Sequence, residues 1–397
     1  MKALVVERSP LRFAAAWIGD SIARKAGTSQ PWTVRLADLA PPQLPGEGWV
    51  SLKPLLAGIC GSDLATVTGH SSRWFEPIVS FPFVPGHEVV GVDEAGRRVV
   101  LEAVLGCRSR AIEPPCPACA RGDVGNCEMI SMGELPPGLQ TGFCRATGGG
   151  WSQEMVAHES QLREVPEAFS DEDAVMVEPA ACAVHAALRA EVRPGEVVGV
   201  IGAGTLGLCV LGALRRYSDP GHLVIAAKHP HQRQWAGELG ADFVAEPASF
   251  GRSIRRATKT MQVARRLTGG ADVVIDCVGS PSSLALALDV VRPRGRVVLA
   301  GMPEPTRLDL TPLWQREISL LGAYTYGKET SASGQRSSFE LAFELVAEAG
   351  LGRMVSARYP LERYREALAH AIEAGSRGAI KIVFEPQARA RSRGGMR

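Results

Sequence analysis

Short β-branched runs separated by Gly and Pro fill the first part of this chain, and from about residue 174 the texture changes. Residues 48–53, 89–92 and 98–101 have the length and the turn-rich flanks of strands, which predicts a β-rich, barrel-like domain. Within 12–32 the stretch Phe13-Ala14-Ala15-Ala16-Trp17 reads as a helical insertion with no assigned role.

Beyond residue 174, a helix through 183–188 leads into the apolar run 197–201, a buried parallel-type strand. Strands at 223–227, 273–276 and 296–300 then alternate with helices at 232–239 and 282–291. That rhythm predicts a parallel sheet with right-handed crossovers. Past Leu321 it stops. Helices at 339–349 and 363–374 precede a strand at 380–384, which we read as a return to the first domain. The expected class is α/β. Its domains are 1–185 with a cysteine lobe near 106–130, the parallel sheet at 186–323, the return at 324–385, and a disordered basic tail at 386–397 carrying Arg389, Arg391 and Arg393.

The length of 397 residues suits two or three domains, and 45% hydrophobic with 22% charged residues is ordinary for a soluble protein. A net charge of +2 is too small to suggest a nucleic-acid partner. The start lacks a signal-type apolar region and no run is long enough for a membrane span, so a cytoplasmic protein is expected. Nine cysteines is an odd number, and in a reducing compartment metal binding or burial explains them better than disulfides.

Two segments change the picture chemically. Cys60-Gly61-Ser62-Asp63 and Gly86-His87-Glu88 supply a thiolate, an imidazole and a carboxylate, a set that holds catalytic zinc with one position open. Glu178, just before Pro179, competes with Glu88 for the third place. Asp63 suits the other nitrogen of His87, and Ser62 is placed to pass a substrate proton outward. Such a metal polarises an oxygen, which points to alcohol and carbonyl redox once a hydride acceptor is present. Taken singly, these residues read as core or surface groups, and His70, His158 and His185 are left structural. Trp74, Phe75 and Phe81 are candidates for an aromatic entrance or for core.

Cys107, Cys116, Cys119 and Cys127 crowd one Pro- and Gly-rich segment. Cys116-Pro117-Ala118-Cys119 has the spacing that lets two thiolates share an ion, and four thiolates would close a structural zinc shell. Cys144, Cys182, Cys209 and Cys277 are scattered and read as buried.

Gly202-Ala203-Gly204-Thr205-Leu206-Gly207 follows the 197–201 strand and opens a helix, the context a dinucleotide fingerprint requires. Its glycines allow the turn, the approach of pyrophosphate and close helix packing, with the anion at the helix N-terminus. Val278 and Gly301, after the next two strands, are further cofactor candidates. Where an NAD site carries an acid at the end of the second strand, this chain has Lys228, His229 and Arg233. Those cations favour NADP over NAD.

Together, Gly58 to Asp63, Pro85 to Glu88, the cysteine lobe, Glu178-Pro179, Gly202 to Gly207 and Asp276-Cys277-Val278-Gly279 resemble the zinc-containing medium-chain alcohol dehydrogenases, in the branch with sorbitol, threonine and glucose dehydrogenases. The resemblance spans nearly the whole chain. It implies a GroES-like catalytic domain, a Rossmann domain, a homodimer or homotetramer, and zinc held by Cys60, His87 and Glu88, with the Glu178 position either ligating or holding the metal's water. Three departures stand out. Glu113 occupies the lobe's usual first cysteine position, so either Cys107 or Glu113 completes that site. Ala65 stands where many relatives have a relay histidine, and Lys228 replaces the usual acid. The expected function is reversible, zinc-dependent, NAD(P)-linked oxidation of a small secondary alcohol or polyol, with two zincs per chain. A biosynthetic aldehyde or ketone reductase and a non-catalytic dinucleotide sensor are the alternatives.

Overall fold

Residues 1–26, 33–264, 266–331 and 334–388 are described in the structure, a computed structural model. The basic run from Arg389 and the end of the 12–32 segment lie outside the described residues. The chain forms two compact units, Met1–Glu178 with Gly352–Arg397, and Pro179–Leu351.

The first unit is built on the ten-residue strand Trp49–Gly58. It pairs antiparallel with Val89–Asp93 and Met155–His158, and the sheet continues through Arg98–Leu101 to Leu162–Glu164. The register with Val89–Asp93 shifts between Pro54 and Leu56, at the residue that has no N–H to donate. The apolar faces enclose Leu4, Leu52, Leu101, Trp151 and Phe384. Trp151 ties this core together, donating its indole N–H to the Gly58 carbonyl at 3.1 Å and meeting Phe384 edge-on at 5.1 Å. The expected return strand is present. Lys381–Phe384 lies antiparallel to Trp49–Gly58, with Val383 opposite Gly58, and parallel to Val355–Tyr359. The expected insertion is the helix Pro10–Ala26, whose Phe13 packs against the core.

The second unit carries six parallel strands in the order Phe243–Ala245, His222–Ala226, Val197–Ile201, Ala271–Asp276, Val291–Leu299, Ser319–Gly322. This is the doubly wound order, with the first strand central and the chain reversing direction across the sheet beside it. Val198, Val200, Val224, Val274 and Val297 are fully buried, as expected for strands covered on both faces.

Both expected boundaries of this unit move. It begins at Pro179 rather than 186, and the return to the first unit comes at Gly352 rather than 324. The reason is packing. The helix Ser338–Ala349 buries Phe339, Leu341, Leu345 and Val346, and the Tyr217 hydroxyl donates to the Leu341 carbonyl at 2.6 Å. Arg216 pairs with Glu344 at 2.9 Å. The preceding hairpin, Lys328–Ser331 with Gly334–Ser337, is pinned where Glu329 accepts from Ser338 at 2.6 Å and lies 2.8 Å from His185 Nδ1. Loss of the strand rhythm marked a change of local pattern, and the chain stayed in the same unit.

Candidate active site and metal centres

Cys60 caps the helix Gly61–Val67 with extended backbone, φ −91° and ψ 160°. Asp63 sits in the first turn, and its Oδ2 accepts the Cys60 N–H at 3.0 Å, a local turn that fixes where the thiol points. The other oxygen, Oδ1, lies 3.5 Å from His87 Nδ1. Both atoms are shut from solvent without a hydrogen-bond partner. Asp63 therefore faces His87 as expected, at ion-pair rather than hydrogen-bond geometry, and Nε2 is the nitrogen left to ligate.

The ligand atoms of Cys60, His87 and Glu88 all lie within 4.8 Å of one another. A thiol, an imidazole and a carboxylate at that spacing, with a buried acid behind the imidazole, fit a zinc ion. Burial opposes protonation of His87, yet the negative charge of Asp63, aided by Cys60, raises its pKa well above the ordinary imidazole value. The pocket is thus built to hold positive charge.

Lys381, which sequence reasoning missed, belongs to this site. Its ammonium pairs with Glu88 Oε2 and donates to the Ile59 carbonyl at 3.4 Å, and both side chains are 2% exposed. Burial works against its charge, and Glu88, Cys60 and Glu178 more than offset that and raise its pKa. A side chain at position 58 would place Cβ 1.9 Å from Glu88 Oε2 and 2.8 Å from Lys381 Cε. Gly58 is required for that approach. The one available signal was a lysine inside the apolar strand at 380–384.

Glu178 is buried in the first turn of the helix Val177–Arg189, outside the three-residue cluster. Ser62 is half-buried on the Gly61–Val67 helix, and its carbonyl accepts from Thr66 Oγ1 at 3.0 Å. Of the aromatic candidates, Trp74 is 79% exposed. Phe81 packs on Phe83 at 5.1 Å, and the ring series continues through Phe143 to His87.

The lobe brings Cys107, Cys116, Cys119 and Cys127 together, with all four sulfurs within 4.8 Å. Cys107 lies in this cluster, while Glu113 is exposed and outside it. Backbone N–H groups point at the sulfurs, from Cys116 to Cys107 at 3.3 Å and from Met129 to Cys127 at 3.4 Å. Burial disfavours the Cys116 thiolate, but the N–H groups of Cys119 and Glu128 outweigh it and bring that thiol down to about 7. Burial drives Cys127 up to about 11 and Cys119 higher still. A metal ion is what would ionise the remaining thiols together. The lobe's core is largely these cysteines with Ile112, Met129 and Ile130, so metal would supply most of its cohesion.

In the second unit, Gly204 caps the helix Thr205–Tyr217 with no side-chain bond to the helix N–H groups. A Cβ at 204 would meet nothing within 4 Å, while one at 207 would strike the Gly202 carbonyl at 1.9 Å. One glycine keeps space for a ligand and the other allows close packing, which fits a pyrophosphate at the helix N-terminus. Thr205 and Leu206 open that helix. Val278 packs on the turn, its Cγ2 only 2.6 Å from a Cβ at Gly202, and Gly301 abuts the Val278 backbone. Asp276 shapes this region by accepting from Val278 N at 2.9 Å, Gly279 N at 3.1 Å and Ser283 Oγ at 2.8 Å.

Lys228 is exposed after the second strand. Arg233 donates to the Lys228 carbonyl at 3.0 Å and lies 3.4 Å from Glu246. His229 stacks on His231 with ring centroids 5.9 Å apart. Its pKa is lowered by partial burial and then by the charges of Lys228, His231 and Arg233, evidence of a positive local potential.

The alcohol dehydrogenase GroES-like domain model matches residues 46–167, and the zinc-binding dehydrogenase model matches 205–348. A sorbitol dehydrogenase of Arabidopsis thaliana is 28% identical over 84% of this chain and 88% of its own length. An L-idonate 5-dehydrogenase of Vitis vinifera is 26% identical over 88% of this chain and 92% of its own. Among solved structures, 2R,3R-butanediol dehydrogenase of Bacillus subtilis superposes with a TM-score of 0.67 at 24% identity, covering 89% of this chain and 96% of that one. The fold of each unit and these matches agree, and the chain belongs to the zinc-containing alcohol dehydrogenase family.

Proposed function

We propose that this oxidoreductase interconverts a small secondary alcohol or polyol and its carbonyl compound, with zinc and a nicotinamide dinucleotide, NADP in preference to NAD. The observation that carries the reading is the cluster of half-buried Cys60 with buried His87 and Glu88 in a GroES-like unit of a chain that also has a dinucleotide fold with Gly204 left open. Sorbitol, L-idonate and butanediol, named for three similar proteins, are all polyhydroxy compounds or diols.

Cys60, His87 and Glu88 would hold the catalytic zinc, and Cys107, Cys116, Cys119 and Cys127 a structural one. Bound there, zinc would supply a Lewis acid for an alcohol oxygen, and a nicotinamide would supply hydride transfer. The chain's own residues do the rest. Asp63 orients the His87 ring, Lys381 holds the Glu88 carboxylate in place, and Ser62 takes the hydroxyl proton toward solvent without the histidine that Ala65 replaces. Glu178 adds a third buried carboxylate beside Asp63 and Glu88. Gly202, Gly204, Thr205, Leu206 and Gly207 receive the pyrophosphate, Val278 and Gly301 border it, and Lys228, His229 and Arg233 face a 2′-phosphate. The active assembly is a homodimer or homotetramer.

The test is a panel of polyols, amino alcohols and aldehydes assayed with NADP and with NAD, with zinc measured per chain. Turnover of a polyol with two zincs per chain is expected. A zinc-loaded chain inert toward the whole panel in both directions would defeat the proposal.

A further inference from the structure

Arg110 is fully buried within the first unit, next to the four-cysteine cluster. All its hydrogen bonds go to backbone carbonyls. Nε donates to Leu105 at 2.9 Å, Nη1 to Met132 at 3.0 Å, Leu135 at 3.2 Å and Pro136 at 3.3 Å, and Nη2 to Gly138 at 2.5 Å. Among the described residues no carboxylate pairs with it. A guanidinium keeps its proton at any ordinary pH, so the fold buries a full positive charge with no negative side chain against it. That is costly unless some other anion compensates.

The compensating charge is close by. Arg110 lies three residues after Cys107 and donates its N–H to the Cys107 carbonyl at 3.0 Å. Burial weakens the hold of the guanidinium on its proton, and the sulfurs of Cys144, Cys127 and Cys107 act in the opposite sense. Four thiolates around one divalent ion leave two negative charges in excess, on three buried cysteines and the half-buried Cys119. The lobe thus contains an unpaired cation and, when metal-loaded, an under-compensated anion.

We propose that Arg110 is the internal counter-charge of the four-cysteine metal site, holding the metal–thiolate cluster through its charge and not only the surrounding loop through its five carbonyl bonds. This rests on the reading of Cys107, Cys116, Cys119 and Cys127 as a metal site. It makes Arg110 a positioning residue that touches neither substrate nor cofactor. The exposed Arg108 in the same turn is its natural control, because solvent screens its charge.

The test uses the full-length chain carrying Cys60→Ala, so that the zinc that remains is the lobe's, and follows zinc transfer to a coloured chelator. R110Q, which loses the charge, should release lobe zinc about tenfold faster or more, the scale of one hydrogen-bonded charge. R110K keeps the charge but cannot span five carbonyls, and its release should stay close to the parent rate. R108Q should match the parent. The proposal is overturned if R110Q retains zinc like the parent, if R108Q releases it as fast as R110Q, or if R110K behaves like R110Q or does not fold. Should R110Q itself not fold, the R110K rate alone decides. A parent chain without lobe zinc would instead remove the metal reading on which the proposal stands.

Discussion

Glu88 and Lys381, 293 residues apart in sequence, form an ion pair with both side chains 2% exposed. The strand Lys381–Phe384 delivers the ammonium by pairing beside Trp49–Gly58, and Gly58 leaves the space the pair occupies. Breaking a buried pair from one side strands the other charge. Lys381→Met is expected to cost about 3–5 kcal/mol of stability, and Lys381→Met combined with Glu88→Gln should recover part of that loss. Denaturant unfolding of both variants measures this, and a single variant as stable as the parent would refute it.

Glu88 and Glu178, both buried, should separate by metal content. Glu88 lies in the ligand cluster and Glu178 outside it. Glu88→Gln and Cys60→Ala should each lower zinc from two to one per chain and abolish turnover while dinucleotide binding persists. Glu178→Gln should keep both zincs. If Glu178→Gln loses a zinc and Glu88→Gln does not, the ligand assignment is reversed.

Cofactor preference depends on charge after the second parallel strand. Lys228→Asp replaces an exposed cation with the acid that suits a free ribose hydroxyl. The ratio of kcat/KM for NADP over NAD should fall by about tenfold or more, the scale of one charged hydrogen bond. An unchanged ratio would show that Lys228 does not face the cofactor.

Histidine burial predicts a loss of stability on the acid side. His158 packs against Trp49 at 5.8 Å and accepts the Ser160 N–H at 3.1 Å. Its pKa is lowered from 6.5 by burial and then by Arg108. As pH falls below 6.5 the unfolded chain takes up a proton that folded His158 resists, so stability declines until the lower folded pKa is reached. Melting curves between about pH 5 and 7 should show a shallower decline for His158→Gln than for the parent, and identical slopes would exclude this source.

The sequence determined the features that depend on near neighbours. Short β-branched runs between Gly and Pro mark the strands of the first unit, unbroken apolar runs mark the doubly covered parallel strands of the second, and the run from Gly202 to Gly207 marks the dinucleotide turn because side chains would block it. Cys116, Cys119 and Cys127 lie within one loop, so their clustering was legible from spacing. Tertiary structure decided what depends on distant segments meeting. It placed Lys381 on Glu88 and brought Cys107, not Glu113, to the other three cysteines. It kept 324–351 in the second unit by packing Leu341 and Leu345 against the Thr205–Tyr217 helix. Local pattern reports which face of an element is buried, and only long-range packing selects the partner that buries it.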